Sequence, residues 1–161
     1  EVCRARRHLC CCHSGWVGRW RMADPDVVPM IAYEDGPAAL DWLAKAFGFQ
    51  ERTRMTDKSG RLTHGEMVAG SGLIMLATPT PEYRGPAHHR DECARARAWS
   101  QVPYVIDGVL VYVDDVKLHA SKAKAAGAKI LSEPESTENG VRYRVEDLEG
   151  HRWMFVQRST G

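Results

Sequence analysis

The chain has 161 residues, of which 43% are hydrophobic and 27% charged, and this is enough for one domain with a substantial core. No apolar run approaches the roughly 18 to 20 residues needed to cross a bilayer, so no membrane segment is predicted. Five of the 22 basic residues but only one of the 21 acidic residues lie within residues 1–22, so the remainder is net acidic and disfavours nucleic acid as a partner.

Residues 1–22 differ from the rest of the chain. They contain four of the five cysteines and lack the periodicities of helices and strands, an apolar signal-peptide core and spaced zinc-ligand pairs. We interpret them as an unstructured tail upstream of a start at Met22, with metal binding or targeting as the alternatives, and expect a single domain over 23–161. Cys93 is the only cysteine beyond the tail, which favours a reduced, cytoplasmic protein.

The first structured pattern is an apolar run at 27–35. Asp35 suits a helix N-cap, an apolar stripe follows at helical spacing, and Gly48 suits the end of that helix. Three strand-like runs separated by turn signals come next, at 50–56, 62–69 and 73–78. The predicted order is therefore β-α-β-β-β over about 27–79.

The same pattern recurs in a second module at about 105–158. It has an apolar run at 109–115, a helix ending at Gly127, and strand-like runs at 128–132, 141–147 and 152–157. Asp35 and Asp114 are 79 residues apart, as are Gly48 and Gly127. Two matched landmarks at one offset indicate a duplicated module.

The connection between the modules, 80–104, is rich in proline, histidine and arginine. It is longer than an ordinary loop, which is typical of a functional lid or a linker. Trp99 and Tyr104 are difficult to place in a core, so we expect them to form an aromatic lid over a ligand.

The fold class predicted from these elements is α+β, with two tandem β-α-β-β-β modules forming a curved mixed-sheet cup and helices on its outer face. The segments DWLAKAFGF (41–49), VYVDDVKLHASKAKAAGA (111–128) and EDLEGHRWMF (146–155) resemble the glyoxalase/bleomycin-resistance/dioxygenase (vicinal oxygen chelate) superfamily. That resemblance implies a concave small-molecule site and a homodimer. It does not select an activity, because the superfamily includes enzymes and metal-free binding proteins.

The resemblance also places the superfamily's four metal-ligand positions on this chain. They fall at Val28, at or near Glu66, at Gly108 and at Met154. Three of these four side chains do not serve as ordinary ligands of a divalent ion. We therefore expect no metal at the usual site and no cofactor.

Side-chain alternation along the predicted strands identifies the residues that would line the cup. They are Met30, His64, Glu66, Leu110, Tyr112 and Met154. His64 and Glu66 are two residues apart and so share a face, either as ligand-facing acid/base groups or as an ordinary exposed hydrogen-bonding pair. Tyr112 fits packing as well as recognition. His119 is expected to be solvated and His151 to be structural.

The function predicted on this basis is that of a small-molecule-binding protein, sequestering or resistance-like, with an unidentified ligand. The alternative is an enzyme of the same superfamily, lyase, isomerase or dioxygenase-like, that uses His64 and Glu66 or a displaced metal site. Stoichiometric binding without turnover separates the first from the second, since catalysis requires a proton-transfer group within hydrogen-bond reach of a substrate.

Overall fold

A computed structural model describes residue 25 and residues 27–102 and 108–157. In chain order the elements are β1 (Met30–Ala32), α1 (Gly36–Phe47), β2 (Gln50–Thr56), β3 (Leu62–Ala69), β4 (Gly72–Ala77), α2 (Pro86–Glu92), α3 (Ala94–Ser100), β5 (Gly108–Tyr112), α4 (Val116–Ala125), β6 (Lys129–Thr137), β7 (Gly140–Glu146) and β8 (Arg152–Gln157).

The predicted α+β class with two tandem β-α-β-β-β modules is confirmed. The first module forms a four-stranded sheet in the order β1-β4-β3-β2, and the second forms one in the order β5-β8-β7-β6. In each sheet the first strand pairs in parallel with the last strand of its module, and the other pairs are antiparallel. Both sheets are therefore mixed, and β1 and β5 are edge strands.

The helix boundaries show how closely the two modules correspond. Asp35 caps α1 by accepting a hydrogen bond from the Ala38 amide, and Gly48 ends the helix at a φ of 71°. In the second module the N-cap is Asp115, which accepts from the Leu118 amide, so the match with Asp114 was wrong by one residue. Both aspartates of that acidic pair can cap, and only the start of α4 decides between them.

A single core joins the helix-bearing sides of the two modules. Phe47 and Phe49, which flank the end of α1, have ring centroids 5.5 and 5.4 Å from that of Trp153 on β8. Trp153 is almost completely buried, as expected from its alternation. Helices α1 and α4 pack on each other within this core. The opposite face of each sheet has neither helix on it, and we call these the open faces.

His119 on α4 belongs to this core, so the expectation that it is solvated was wrong. Its imidazole is half-buried beside Phe155 and Tyr143. The periodicity of a helix sequence does not reveal that another module covers part of the helix surface, and this is why the sequence was misleading here.

The connection between the modules contains α2 and α3. The Ala87 amide donates to the Glu149 carbonyl, the Gly85 amide donates to the Glu34 carboxylate, and His88 is hydrogen-bonded to the same carboxylate. The start of the connection is thus fixed to both modules. Tyr104 and the tail 1–22 lie outside the described residues. Among the described helices, none is long and apolar enough to cross a membrane.

Candidate functional site

The open face of the first sheet carries a row of side chains that crosses all four strands. Thr53, Glu66, Met75 and Met30 are successive register partners from β2 to β1. The next residue on β3, Met67, is completely buried on the helix-bearing side. The side chains of Met30 and Glu66 therefore share the open face, and Met30 is 81% exposed.

His64 and Glu66 form a pair on this face. His64 Nε2 lies 3.0 Å from Glu66 Oε1, and the other carboxylate oxygen of Glu66 accepts from the Thr53 hydroxyl and pairs with Arg52 at 3.1 Å. The hydrogen bond with His64, together with those other contacts, lowers the pKa of Glu66. Such a carboxylate is ionised at neutral pH and is suited to accept a hydrogen bond or, with His64, to relay a proton.

The open face of the second sheet is lined by two rows. Leu110, Met154, Arg144 and Ser132 are successive register partners from β5 to β6, and the neighbouring row consists of Tyr112, Val156, Arg142 and Glu135. Leu110 and Tyr112 are 44% and 49% exposed. The face is therefore apolar near β5 and charged near β6.

Sequence reasoning missed the arginines of this second face. Tyr143 and Val145 are completely buried, and Arg142 and Arg144 alternate with them along β7. The same alternation that selected Tyr112 and Met154 would have selected both arginines. The available signal was the alternation of two arginines with the apolar Tyr143 and Val145 along the strand.

Two grooves follow the free edges of β1 and β5. The larger, of 590 Å³, lies between the β3–β4 turn and β5 and contains Leu110 and Tyr112. The smaller, of 330 Å³, places Met30 beside Gly108 and His151. His64, Glu66 and Met154 border neither of these grooves. The six expected lining residues thus occupy two open faces, three on each.

Trp99 and His151 lie in different surroundings. Trp99, expected to be part of a lid, is 59% exposed on α3 and borders neither groove. His151, expected to be structural, packs against the Tyr33 ring and lines the smaller groove. Its Nε2 atom is buried and has no hydrogen-bond partner among the described residues.

A buried carboxylate anchors one end of the second open face. Glu146 is 1% exposed and pairs with Arg90 of α2 at 3.0 Å, Lys129 at 3.1 Å and Arg152 at 3.2 Å. Arg152 also donates to the carbonyl oxygens of Ser100 and Val102. This network attaches the α2–α3 connection to the sheet, because a buried carboxylate requires such partners.

The donor set was tested against the metal that the superfamily resemblance implies. Within the described ranges, no three or more histidine, cysteine, aspartate or glutamate side chains are grouped so that they could hold an ion. His64 and Glu66 supply two donors, and the register partners next to Glu66 are Thr53 and Met75. The residues present do not fit a divalent metal centre, which requires three or four converging donors.

Comparisons with known proteins identify the family. Residues 27–155 match the model of the glyoxalase/bleomycin resistance protein/dioxygenase superfamily, and the chain belongs to that superfamily. TioX from Micromonospora sp. ML1 is similar in structure, with 31% identity and a TM-score of 0.60 over 82% of this chain and 97% of TioX.

Two other similarities are more distant. TnmS3, an antibiotic binding protein from Streptomyces sp. CB03234, has 16% identity and a TM-score of 0.54 over 84% of this chain and 98% of its own, which shows the fold alone. An uncharacterized protein of Mycobacterium tuberculosis strain H37Rv is 27% identical over 139 residues, 83% of this chain and 75% of that protein.

Proposed function

We propose that the protein binds a small molecule on the open faces of its sheets, without the usual metal centre and without chemical turnover. The observation that carries this proposal is the exposure of large apolar side chains on those faces: Met30, Leu110 and Tyr112 are 81%, 44% and 49% exposed. A monomer rarely leaves such a patch beside polar groups unless something covers it. Methionines in particular adapt to ligands of irregular shape.

The two faces lie on different modules, and we propose that a homodimer brings them together. In this arrangement the first open face of one copy lies opposite the second open face of the other, with two-fold symmetry. The exposed apolar side chains Met30, Leu110 and Tyr112 support this arrangement, because an opposing face would cover them. Met30 would then contact the same ligand as Leu110 and Tyr112.

A sequestering or resistance-like role is consistent with the fold. TnmS3 is an antibiotic binding protein, so the same architecture accommodates such a ligand in that protein. We propose that this chain acts likewise in the cytoplasm. Cys93 is the only cysteine in the described ranges, so the described fold is built without a disulfide, as is usual for proteins of a reducing compartment.

The enzyme alternative depends on one observation, the 3.0 Å contact between His64 and Glu66. A histidine held by a carboxylate is a suitable proton carrier. Against it, the same carboxylate is already engaged by Thr53 and Arg52. A carboxylate with that many partners is typical of a structural contact at the surface. We therefore keep binding as the primary proposal.

Binding of 2-naphthamide, a neutral planar probe, tests the proposal by calorimetry. The wild type should bind stoichiometrically, and the probe should be recovered unchanged. Tyr112→Ala should weaken binding at least about fivefold with little loss of stability, since this side chain is half exposed.

Val145→Ala is the control for this experiment, because Val145 on β7 is completely buried in the core and borders neither groove. It should lower the free energy of unfolding by about 1 to 3 kcal/mol and leave binding unchanged. Equal binding by wild type and Tyr112→Ala, or conversion of the probe, would contradict the proposal.

A further inference from the structure

We propose that the second open face recognises an anionic ligand, whose carboxylate or sulfonate group pairs with Arg144 and whose apolar body lies on Met154 and Leu110. This inference rests on the proposed function and specifies its ligand class. It is carried by an arginine whose guanidinium has no acceptor within hydrogen-bond distance among the described residues.

Arg144 is held on the open face by its neighbours in the chain. Tyr143 and Val145, on either side of it, are completely buried in the core. A strand that buries two alternate side chains must direct the one between them to the opposite face. The side chain of Arg144 is nevertheless only 19% exposed, because it lies among other residues of that face.

The described residues engage the guanidinium of Arg144 only weakly. Its only polar partner in the described part of the chain is Glu135 Oε1, at 3.8 Å, which is too long for a hydrogen bond. Arg142 donates to the same oxygen at 2.9 Å. A guanidinium has five N–H donors in a planar fork, so donors remain available to an anionic ligand that displaces water from this face.

The charges on this part of the second open face are unbalanced as well. Arg142 and Arg144 share one carboxylate, that of Glu135, so one positive charge is left over. A carboxylate or sulfonate provides both the missing charge and two acceptor oxygens for the guanidinium fork. The face thus complements an anion rather than a neutral or cationic group.

The rest of the ligand is defined by the residues across the row. Met154 is the register partner of Arg144, and Leu110 is the partner of Met154. Successive strands are about 4.8 Å apart, so an apolar body of roughly 10 Å extends from Arg144 to Leu110. The ligand class that fits is an amphiphilic anion with a flat or aliphatic apolar portion.

The test compares three probes with the same ring system: 2-naphthoate, 2-naphthamide and 2-naphthylmethylammonium, titrated into the full chain at low ionic strength. The anion should bind about tenfold more tightly than the neutral amide, and the cation most weakly. Added salt should reduce this preference, because the contact is partly exposed.

Variants at the two partners separate recognition from folding. Arg144→Met should abolish the preference for 2-naphthoate over 2-naphthamide while preserving the binding of the amide. Glu135→Gln should increase 2-naphthoate affinity several-fold, since it removes the competing carboxylate; a purely structural ion pair predicts no such gain. Arg61→Met, in the β2–β3 turn of the other sheet, is the charge-matched control and should leave all three affinities unchanged.

The outcomes distinguish the two proposals. Equal affinities for 2-naphthoate and 2-naphthamide, with binding of both weakened in Tyr112→Ala, would overturn the anion preference and leave the binding function intact. Failure of all three probes to bind would contradict the binding function itself. Loss of the preference in Arg61→Met would show a general charge effect and overturn the role of Arg144.

Discussion

His119 on α4 donates a hydrogen bond from its Nε2 to the carbonyl oxygen of Phe47 at the end of α1, over 3.1 Å. Its Nδ1 accepts from the Tyr143 hydroxyl at 2.7 Å. Both ring nitrogens are thus satisfied in the neutral imidazole, and one side chain connects the two modules. A proton on Nδ1 would remove the acceptor of the Tyr143 hydroxyl, and burial lowers the pKa of His119.

His119→Ala should therefore lower the free energy of unfolding by roughly 2 to 3 kcal/mol, because it leaves the Tyr143 hydroxyl and the Phe47 carbonyl without their partner. Urea unfolding at pH 7.5 measures this change. His89→Ala, an exposed position on α2, is the control and should have little effect. A His119 variant as stable as the wild type would show that this bridge contributes nothing to the association of the modules.

The same residue predicts a pH dependence. The pKa of His119 is lower in the folded than in the unfolded chain, so the unfolded chain binds more protons as the pH falls through about 6.5. His119 should therefore make the protein less stable between pH 7 and pH 5, and His119→Gln should flatten that part of the profile. An unchanged slope in the variant would contradict a neutral, buried His119.

His88 should act in the opposite direction. Its hydrogen bond to Glu34 raises the pKa of His88. Burial alone would raise the pKa of Glu34, but the hydrogen bonds from His88 and the Gly85 amide, with the nearby positive charges, together lower it. The stabilising contribution of the pair is complete below about pH 6.5 and is lost as the pH rises through the raised value. Hydrogen exchange of α2 should accelerate from pH 6 to pH 8, after correction for intrinsic rates, and His88→Gln should remove the difference. A wild-type profile identical to that of the variant would exclude this attachment.

Gly36 provides a test of packing against helix propensity. A β-carbon at this first residue of α1 would lie 2.5 Å from Leu62 Cβ and 2.6 Å from Leu62 Cδ2. Helix propensity alone predicts that Gly36→Ala stabilises the protein by up to about 1 kcal/mol, whereas the clash predicts a loss of about 2 kcal/mol or more. Gly72→Ala, which meets only an ordinary contact at 3.5 Å, is the control. Thermal unfolding that shows a gain for Gly36→Ala would contradict the close approach of α1 to β3.

Assembly can be measured directly. Light scattering at micromolar concentrations should give twice the 18.0 kDa mass of one chain. Leu110→Asp, which places a charge on the second open face, should shift the equilibrium toward the monomer without unfolding the protein. A mass of one chain for the wild type across that concentration range would contradict the shared site.

The fold could be predicted because its signals are local and repeated. Asp35 marks the start of α1 through its side-chain cap. Gly48 and Gly127 mark helix ends through positive φ values of 71° and 92°, which few other residues adopt. The start of α4 at Asp115 could not be resolved from Asp114 by this means. The expectation that the two modules pair in one domain came from the family resemblance, because alternation alone does not predict how modules associate.

The candidate site could be predicted only in part. Alternation assigns Tyr112 and Met154 to one face of a sheet. It does not show which sheet faces lie opposite each other, either within one chain or between two copies. The surplus charge at Arg144 depends on a carboxylate nine residues away on another strand, Glu135, and on the distances that divide it between two arginines. Such distances follow from strand register, which two irregularities in the β6–β7 ladder shift.

The central claim, that the open faces bind a small molecule, is tested most directly by methyl NMR of the methionines. Met30, Met75 and Met154 lie on the open faces, whereas Met67 is completely buried in the core. Titration with 2-naphthoate should shift the Met30 and Met154 signals in parallel, with one dissociation constant, and leave Met67 unchanged. A saturating titration that moves neither Met30 nor Met154, or that moves Met67 as much as both, would contradict the account.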